Sequence, residues 1–474
     1  MSLTLPYTLV GLRSAVMRGD LNVAAALKTQ VTAMGSDTRH AVVHIPDGHE
    51  TPPGRHLPLA GAGLAHKDIF VWAGRAPSCG NRAAPRFNAP VSPVIERLAM
   101  AGSTPLAALA MAEYASGVTG ENPYLPLPVN PLGPDYAVGG SSSGSAVAVA
   151  SGLCYGSLGT DTAGSVRIPA ATCGIFALKP TNGVLEPEGC FPLAPTLDTI
   201  GVISRSALDA ALLFAASLAP DQRNKLIPRC DDALQYRNGV AEPGDLPVRP
   251  WRLATVLDHH NPRFSACAEV RDAVISIAKA FSNGPPLHHD RLDPLPELVR
   301  NASTILHAEA AGTHHERLRS RPSALSAITR TVAIPGAVIP AAWYDMARRN
   351  REALRQEFLE RYLRHSDVLL TPILPQGIPM WGSVLTGSPQ FDPMALLSLF
   401  SWTAFCNYLG LPAVTFPVGR SADGVPLSIQ AIGPPHCEAV LLSFAYQVER
   451  ELFGDHGLVE ELPLPHFTRY DSLS

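Results

Sequence analysis

The sequence is poor in charged residues and has no excess of basic ones. Charged side chains make up 16% of its 474 residues, and 37 Lys and Arg against 41 Asp and Glu leave a formal net charge of −4. Proteins that bind nucleic acid use basic side chains to neutralise phosphates, so nucleic acid is not an expected partner. Because 46% of the residues are hydrophobic, the low charge indicates a folded globular chain rather than a disordered one.

Patterns that mark disulfide-rich, metal-binding, secreted or membrane proteins are also missing. The 8 cysteines are scattered, with neither a Cys-x-x-Cys pair nor the Cys and His spacing of a zinc site, so we expect no disulfide framework and no metal. The first residues do not form a basic and then apolar leader, and no run of about 18 apolar residues could span a membrane. These features favour a cytoplasmic protein without a cofactor that acts on a small molecule, as a monomer or homodimer.

Strand-like and helix-like segments alternate along the whole chain, a pattern typical of α/β proteins. Short runs between turn residues predict strands over 155–159, 175–178, 253–257, 368–370, 413–416 and 427–432. Helical periodicity predicts two N-terminal helices within 8–34, divided by Asp20 as an N-cap, and a last helix over 438–453. We therefore expect an α/β/α sandwich with a large, mixed, mostly parallel central sheet covered by helices.

No internal repeat and no low-complexity linker divides the chain. We expect a single domain over 1–474, with a core of about 55–215 and 365–455. The region of about 220–400 is expected to place loops and helices over the active face and to supply much of the substrate pocket. Within the core, Lys67 stands among apolar neighbours, which predicts a buried lysine rather than a surface one.

Residues 139–180 combine glycines, hydroxyl side chains and one helix of small apolar residues. A nucleophilic serine needs a base, a tight turn and backbone N–H groups directed at the developing oxyanion. Gly164 permits such a turn beside Ser165, and Thr162, Ala163 and Gly164 offer consecutive N–H donors. Each Gly/Ser run taken singly could be an ordinary loop at a helix end, but their pairing across one helix and strand favours an active site.

A second interpretation of the same region makes Ser142 the nucleophile. Residues 140–144 fit the Gly-x-Ser-x-Gly elbow of α/β-hydrolases, which requires a strand directly before it. Residues 130–136 are instead rich in Pro and Gly and predict a loop. The elbow also needs a downstream acid and histidine, and no distinctive setting marks any of His307, His314, His315, His436, His456 and His466.

Two stretches, 139–145 and 159–170, closely resemble the signature of the amidase signature family. Shorter matches follow in the order of that family, at 66–69, 120–123, 130–131, 174–181, 367–372 and 410–413. The resemblance covers about residues 55–450 and is therefore more specific than a single short motif. It implies the large α/β fold of that family.

The resemblance also implies a Ser–cis-Ser–Lys triad. Ser165 would be the nucleophile, Ser141 a bridging serine that follows a cis peptide bond, and Lys67 the base. A free lysine has a pKa of about 10.4, and burial would lower it because a dry pocket penalises the ammonium form. Neutral Lys67 could then take a proton from Ser141, which takes one from Ser165, while the N–H groups of residues 162–165 hold the oxyanion.

Three further residues are interpreted as support for this triad. Asp161 and Arg167 flank the nucleophile and predict an ion pair or backbone anchors that fix the turn. Ser142 predicts a hydrogen-bonding partner rather than a second nucleophile.

The residues that select the substrate are harder to infer. Ile168 stands where the glutamine-dependent tRNA amidotransferase subunit of the family usually has Gln, which favours a pocket for an apolar or neutral acyl group. Tyr124 is a second candidate for the pocket, and Trp381 and Phe391 are further candidates. Ordinary loop packing explains these aromatic residues equally well.

Three functions follow from these observations. The first is a serine hydrolase that cleaves the C–N bond of a small neutral amide, anilide or carbamate (urethane), with a secondary esterase activity. The second is an amidotransferase A-type subunit that needs partner chains. The third is a Ser-His-Asp esterase of the α/β-hydrolase type, acting through Ser142.

Overall fold

The structure of the chain is a computed structural model. It describes residues 4–48, 54–72, 74–81, 87–226, 236–237, 240–241, 250–258 and 261–454. Two of the histidines considered for the Ser142 elbow, His456 and His466, lie outside these ranges. No helix in the described ranges is both long and apolar enough to cross a membrane.

The strands form one large sheet and one small hairpin. Their bounds are β1 Val42–His44, β2 Gly63–Lys67, β3 Thr104–Leu109, β4 Gly156–Asp161, β5 Phe176–Lys179, β6 Thr199–Ser204, β7 Tyr236–Arg237, β8 Val240–Ala241, β9 Leu253–Val256, β10 Leu287–His289, β11 Val368–Pro372, β12 Ala413–Arg420 and β13 Pro426–Ile432. In the described part of the chain the large sheet has 11 strands in the order β1-β3-β2-β4-β6-β5-β12-β13-β11-β9-β10, and β7 pairs with β8.

Helices surround this sheet. Those of the first half are α1 Leu9–Arg18, α2 Val23–Gly35, α3 Pro93–Met100, α4 Ser143–Ala150, α5 Arg167–Thr172, α6 Ala207–Ser217, α7 Pro220–Leu226 and α8 Ala268–Phe281. Those of the second half are α9 Leu295–Thr313, α10 His315–Ser320, α11 Ala327–Gly336, α12 Ala341–Phe358, α13 Trp381–Val384, α14 Pro393–Ser398, α15 Ala404–Leu409 and α16 Glu438–Phe453. Short 3₁₀ turns lie at Glu113–Ala115 and Pro322–Ala324, and a π turn at Leu359–Leu363 continues α12.

The expected α/β fold with a large mixed sheet is confirmed. Every residue of β2, β4, β5, β6, β9, β11 and β13 is buried, as in strands covered on both faces. The final helix has the predicted bounds. The division into one domain over 1–474 stays a prediction.

The expectation of a mostly parallel sheet is wrong. Among the described strands of the large sheet, the parallel pairs are β2–β3, β2–β4, β9–β11 and β9–β10. The antiparallel pairs are β1–β3, β4–β6, β5–β6, β5–β12, β12–β13 and β11–β13. A parallel pair needs a crossover of a dozen or more residues, whereas only 421–425 join β12 to β13, so these strands must form a hairpin.

One smaller expectation also needs correction, and a second is extended. Asp20 is not an N-cap, because the side chains of Thr8 and Asn22 cap the first two helices, and Asp20 instead pairs with Arg18. The region of about 220–400 was expected to supply loops and helices besides its predicted strands over 253–257 and 368–370, and the structure adds β10, which pairs with β9 at one edge of the large sheet.

The topology brings the ends of two motif-bearing strands together. β2 and β4 are parallel neighbours, with Leu64 opposite Gly156. β2 ends at Lys67 and β4 at Asp161, so both carboxyl ends meet at the same edge of the sheet, where α/β proteins commonly bind ligands. Helix α4 packs on these strands, and all of its residues are buried because its small side chains permit close approach.

Candidate active site

Lys67 lies at the bottom of the site with no exposed surface. Its Nζ atom is 2.7 Å from Ser141 Oγ and 2.8 Å from Thr160 Oγ1. Burial lowers the pKa of Lys67 to about 8, although the carboxylates of Asp198 and Asp161 act in the opposite direction. Lys67 is therefore held by hydroxyl groups rather than by a counterion, which increases its neutral fraction near pH 7.

Ser141 follows a cis peptide bond that joins it to Gly140. Its side chain is fully buried, and its carbonyl oxygen accepts a hydrogen bond of 3.1 Å from the Ala112 N–H. A Cβ atom on Gly140 would lie 2.9 Å from the Gly120 nitrogen, a distance that real Cβ atoms essentially never show. The backbone of the first signature stretch is therefore fixed by neighbours on both sides.

Ser165 lies in the turn between β4 and α5 and is 5% exposed. Its carbonyl oxygen accepts a hydrogen bond of 3.1 Å from the Ser142 N–H, which joins the second signature stretch to the first. Gly164 has φ +121°, and a Cβ atom there would lie 2.6 Å from Thr403 Oγ1. Only glycine fits this position without displacing its neighbours.

The predicted oxyanion donors need one correction. The Gly164 N–H donates to Asp161 Oδ1 at 2.8 Å, so it is not available to a substrate in this conformation. Thr162, Ala163 and Ser165 remain as the candidate donors.

A buried ion pair between Asp161 and Arg167 supports the turn. Arg167 Nη2 lies 2.9 Å from Asp161 Oδ1, and neither side chain has exposed surface. Burial alone would raise the pKa of Asp161, but Arg167 holds it well below its usual range. Arg167 also donates to Gln430 Oε1 at 2.6 Å and to Asn407 Oδ1 at 2.7 Å, so the turn is tied to β13 and α15.

Asp198 is a further contact of the oxyanion turn that the sequence analysis did not identify. Its carboxylate accepts a hydrogen bond of 2.6 Å from the Thr162 hydroxyl and is itself held by the N–H groups of Leu193 and Ala194. It is also one of the charges that raise the pKa of Lys67. Asp198 therefore links the predicted base to the predicted oxyanion turn.

The remaining predicted site residues lie in different surroundings. Ser142 is buried, with its Oγ 3.5 Å from the Thr160 carbonyl oxygen. Ile168 is buried in an apolar cluster that also includes the half-buried Trp381. Tyr124 is 37% exposed and is not part of that cluster, and Phe391 is not part of it either.

The Ser142 elbow lacks the surroundings that an α/β-hydrolase needs. No strand precedes it in the fully described stretch between Leu109 and Gly156. Among the hydrogen bonds of the described residues, no histidine bonds to Ser142; the buried His66 instead accepts from the Leu158 N–H through Nδ1. The described residues also contain no group of His, Cys, Asp and Glu side chains that could hold a metal ion.

Known proteins with similar sequences cover most of the chain. Residues 22–442 match the sequence model of the Amidase family. The A-type subunit of the glutamyl-tRNA(Gln) amidotransferase of Acinetobacter baumannii is 31% identical over 425 residues, which cover 84% of this chain and 84% of that protein. Amidase 1 of Oryza sativa subsp. japonica is 30% identical over 429 residues, which cover 85% of this chain and 93% of that protein.

Solved structures agree with this match. The crystal structure of an amidase has a TM-score of 0.79 and 26% identity to this chain, and covers 94% of it and 100% of its own length. The A-type subunit of the glutamyl-tRNA(Gln) amidotransferase of Thermotoga maritima has a TM-score of 0.73 over 95% of this chain and 98% of its own; at 22% identity this likeness shows the fold alone. The chain therefore belongs to the Amidase family and is an amidase-signature hydrolase.

Proposed function

We propose that this chain hydrolyses a small neutral amide, anilide or carbamate in the cytoplasm through an acyl-enzyme on Ser165. The observation that carries the proposal is the distance of 2.7 Å between Lys67 Nζ and Ser141 Oγ in a fully buried setting. Burial lowers the pKa of Lys67 to about 8, so roughly a tenth of the molecules carry the neutral amine at pH 7. That fraction suffices for a general base.

In the proposed reaction a proton moves along the relay towards Lys67 and later moves back along it to the leaving amine. Lys67 accepts the proton of Ser141 while Ser141 accepts that of Ser165, and Ser165 Oγ bonds to the carbonyl carbon of the substrate. The N–H groups of Thr162, Ala163 and Ser165 stabilise the oxyanion. Collapse of the intermediate breaks the C–N bond as the relay returns the proton to the leaving amine, and water then hydrolyses the ester on Ser165 by the same route.

A second candidate is an amidotransferase A-type subunit that works only with partner chains. Relatives named as such subunits, including the one from Acinetobacter baumannii, favour it. Ile168 favours the first candidate, because an apolar cluster surrounds it and offers no polar partner to the amide of a glutamine substrate. We therefore expect the chain to act alone, as a monomer or homodimer.

A substrate panel with the purified chain separates these candidates. Primary amides, anilides and aryl carbamates are incubated without ATP, glutamine, tRNA or a second protein, and amine release is followed over many turnovers. Steady turnover that disappears in Ser165→Ala supports the proposed hydrolase. If no substrate reacts until an amidotransferase partner is added, the proposal is wrong and the second candidate holds.

A further inference from the structure

Four side chains form a cluster on the Lys67 side of the site. The Arg317 guanidinium carbon lies 4.9 Å from the centre of the Tyr114 ring and 5.4 Å from that of Phe191. The His314 ring lies 4.8 Å from Tyr114 and 6.0 Å from Phe191, so both aromatic rings contact the same helical turn. Arg317 is the half-buried member, and the other three are buried.

Tyr114 is connected to the catalytic lysine through short backbone contacts. Its N–H donates to the Cys79 carbonyl oxygen at 2.8 Å, and the Cys79 N–H donates to the Asp68 carbonyl oxygen at 2.9 Å. Asp68 is the residue directly after Lys67. Burial raises the pKa of the Cys79 thiol well above its usual range, and the charges of Arg317 and Lys67 act in the opposite direction.

Phe191 gives a second, independent connection to the same edge. Its N–H donates to the Ile69 carbonyl oxygen at 3.0 Å, two residues after Lys67. On the other side, Ala112 holds the Ser141 backbone at 3.1 Å and lies two residues before Tyr114. Arg317 therefore rests on two rings that are each fixed to the backbone around Lys67 and Ser141.

Three polar atoms of this cluster lack partners. Both ring nitrogens of the fully buried His314 and the buried Nε of Arg317 have no hydrogen-bond partner among the described residues. Buried polar atoms without partners are rare and costly, and often mark a ligand or an ordered water. Burial and the neighbouring Arg317 lower the pKa of His314 to about 4, so the ring is neutral at pH 7 and keeps one N–H donor.

Arg317 also has no counterion in the described part of the chain. Two nearby carboxylates already have other partners. Asp68 pairs with Arg75. Glu113 accepts hydrogen bonds from Asn81 and from the Ser326 N–H. The Tyr114 hydroxyl, which also meets Arg317, stays uncharged because burial raises its pKa to about 12.

We propose that Arg317, supported by His314, binds a carboxylate on the leaving-amine part of the substrate. This rests on the proposed function, in which the leaving amine receives its proton from Ser141 and Lys67, the part of the site whose backbone holds the two rings under Arg317. In the same proposal the acyl part lies against the apolar cluster that contains Ile168. This narrows the proposed substrate: only its acyl group is neutral, and its leaving amine carries a carboxylate, as in an acylated aminobenzoate.

A matched pair of anilides tests this subsite. The acylated para-aminobenzoate and the acylated para-aminobenzamide differ only in charge at the far end of the leaving group. Wild-type protein is compared with Arg317→Met, which keeps the stem that packs on the rings, and with Arg317→Lys. Arg319→Gln, at an exposed position of the same helix, serves as the control, and thermal unfolding verifies that each variant is folded.

We expect kcat/KM for the carboxylate substrate to fall about 10- to 100-fold in Arg317→Met, the range of a hydrogen-bonded charge pair, and to fall less in Arg317→Lys. The carboxamide should change less than about threefold. If wild-type protein does not prefer the carboxylate, or if both substrates lose the same factor in Arg317→Met, the subsite does not exist.

A binding measurement keeps the subsite testable apart from the reaction. If neither anilide is hydrolysed, or if Ser165→Ala retains the activity, the proposed function fails. Calorimetry with para-aminobenzoate and para-aminobenzamide then tests binding at the subsite independently of the reaction. Binding of the benzoate that is lost in Arg317→Met supports it, whereas equal binding of both amines, or no binding of either, overturns it.

Discussion

The carboxyl edge of β2 and β4 and the outer helices α9 to α14 differ sharply in how their residues are held. At the edge, Lys67 and Ser141 have no exposed surface and every catalytic candidate contacts the backbone or side chain of another motif. On the outer helices, large apolar side chains face outward, with Trp343 58% and Met346 56% exposed. The positions of side chains are thus tightly determined at the edge and loosely determined on the outer helices.

This contrast explains why the reaction is easier to infer than the substrate. A buried group that depends on several neighbours tolerates few residue types, so its sequence pattern is specific. An exposed helix face tolerates many, and a residue such as Arg317 stands out only when its partners in space are known. Substitutions at the edge should therefore have larger effects than matched ones in the outer region.

The largest effect is expected from Ser165→Ala. Loss of the nucleophile should lower kcat on an anilide by at least about 10⁴-fold, as in other serine hydrolases. Ser142→Ala should keep far more activity, because among the described residues the Ser142 hydroxyl makes one long hydrogen bond, of 3.5 Å, to the Thr160 carbonyl oxygen. The reverse pattern in steady-state rates would identify Ser142 as the nucleophile and remove Ser165 from the mechanism.

The next comparison uses one ion pair from each region. Asp161→Asn leaves the buried Arg167 charge uncompensated and should lower the free energy of unfolding by about 3–5 kcal/mol. Asp345→Asn breaks an exposed pair with Arg349 on α12 and should cost less than about 1 kcal/mol. Urea denaturation measures both, and equal losses would show that the edge is no more constrained than the outer helices.

Substitution of a glycine in the turn before Ser165 should have a smaller effect on the rate. Gly164→Ala introduces a Cβ at φ +121° and 2.6 Å from Thr403 Oγ1, so the turn must shift, and we expect kcat to fall about 100-fold. Gly387→Ala adds a Cβ with nothing within 4 Å and should leave the rate unchanged. An active Gly164→Ala enzyme would mean that the turn is not held as the structure shows.

The sequence allowed most of the edge to be predicted, because its parts are local motifs. Lys67, Ser141 and Ser165 were recognised from short patterns, and the structure brings Lys67 to Ser141 and joins the two signature stretches. Their catalytic roles stay a prediction. The N–H of Gly164 could not be assigned correctly, since its direction depends on the Asp161 carboxylate.

Contacts between distant parts of the chain could not be predicted from the sequence. Asn407 and Gln430 bind Arg167 from 240 and 263 positions away, and no local pattern indicates such partners. Asp198 contacts Thr162 through a loop that carries no recognisable motif. The strand directions were missed for the same reason, because pairing between β5 and β12 depends on packing and not on either strand alone.

The smallest effect is expected from Asp198→Asn. The carboxylate raises the pKa of Lys67, so its removal should lower that pKa and move the rise of the pH–rate curve to lower pH. Asp345→Asn, far out on α12, should leave the curve in place. A shift to higher pH in Asp198→Asn would contradict the proposed electrostatic link between Asp198 and Lys67.

The central claim is that neutral, buried Lys67 is the base, and the pH dependence of kcat/KM tests it most directly. Because the neutral amine is the active form and its pKa is about 8, kcat/KM on an anilide should rise about tenfold per pH unit below that value and level off above it. The rise should vanish together with the activity in Lys67→Ala. A curve without an ionisation near pH 8, or one that survives in Lys67→Ala, would contradict the account.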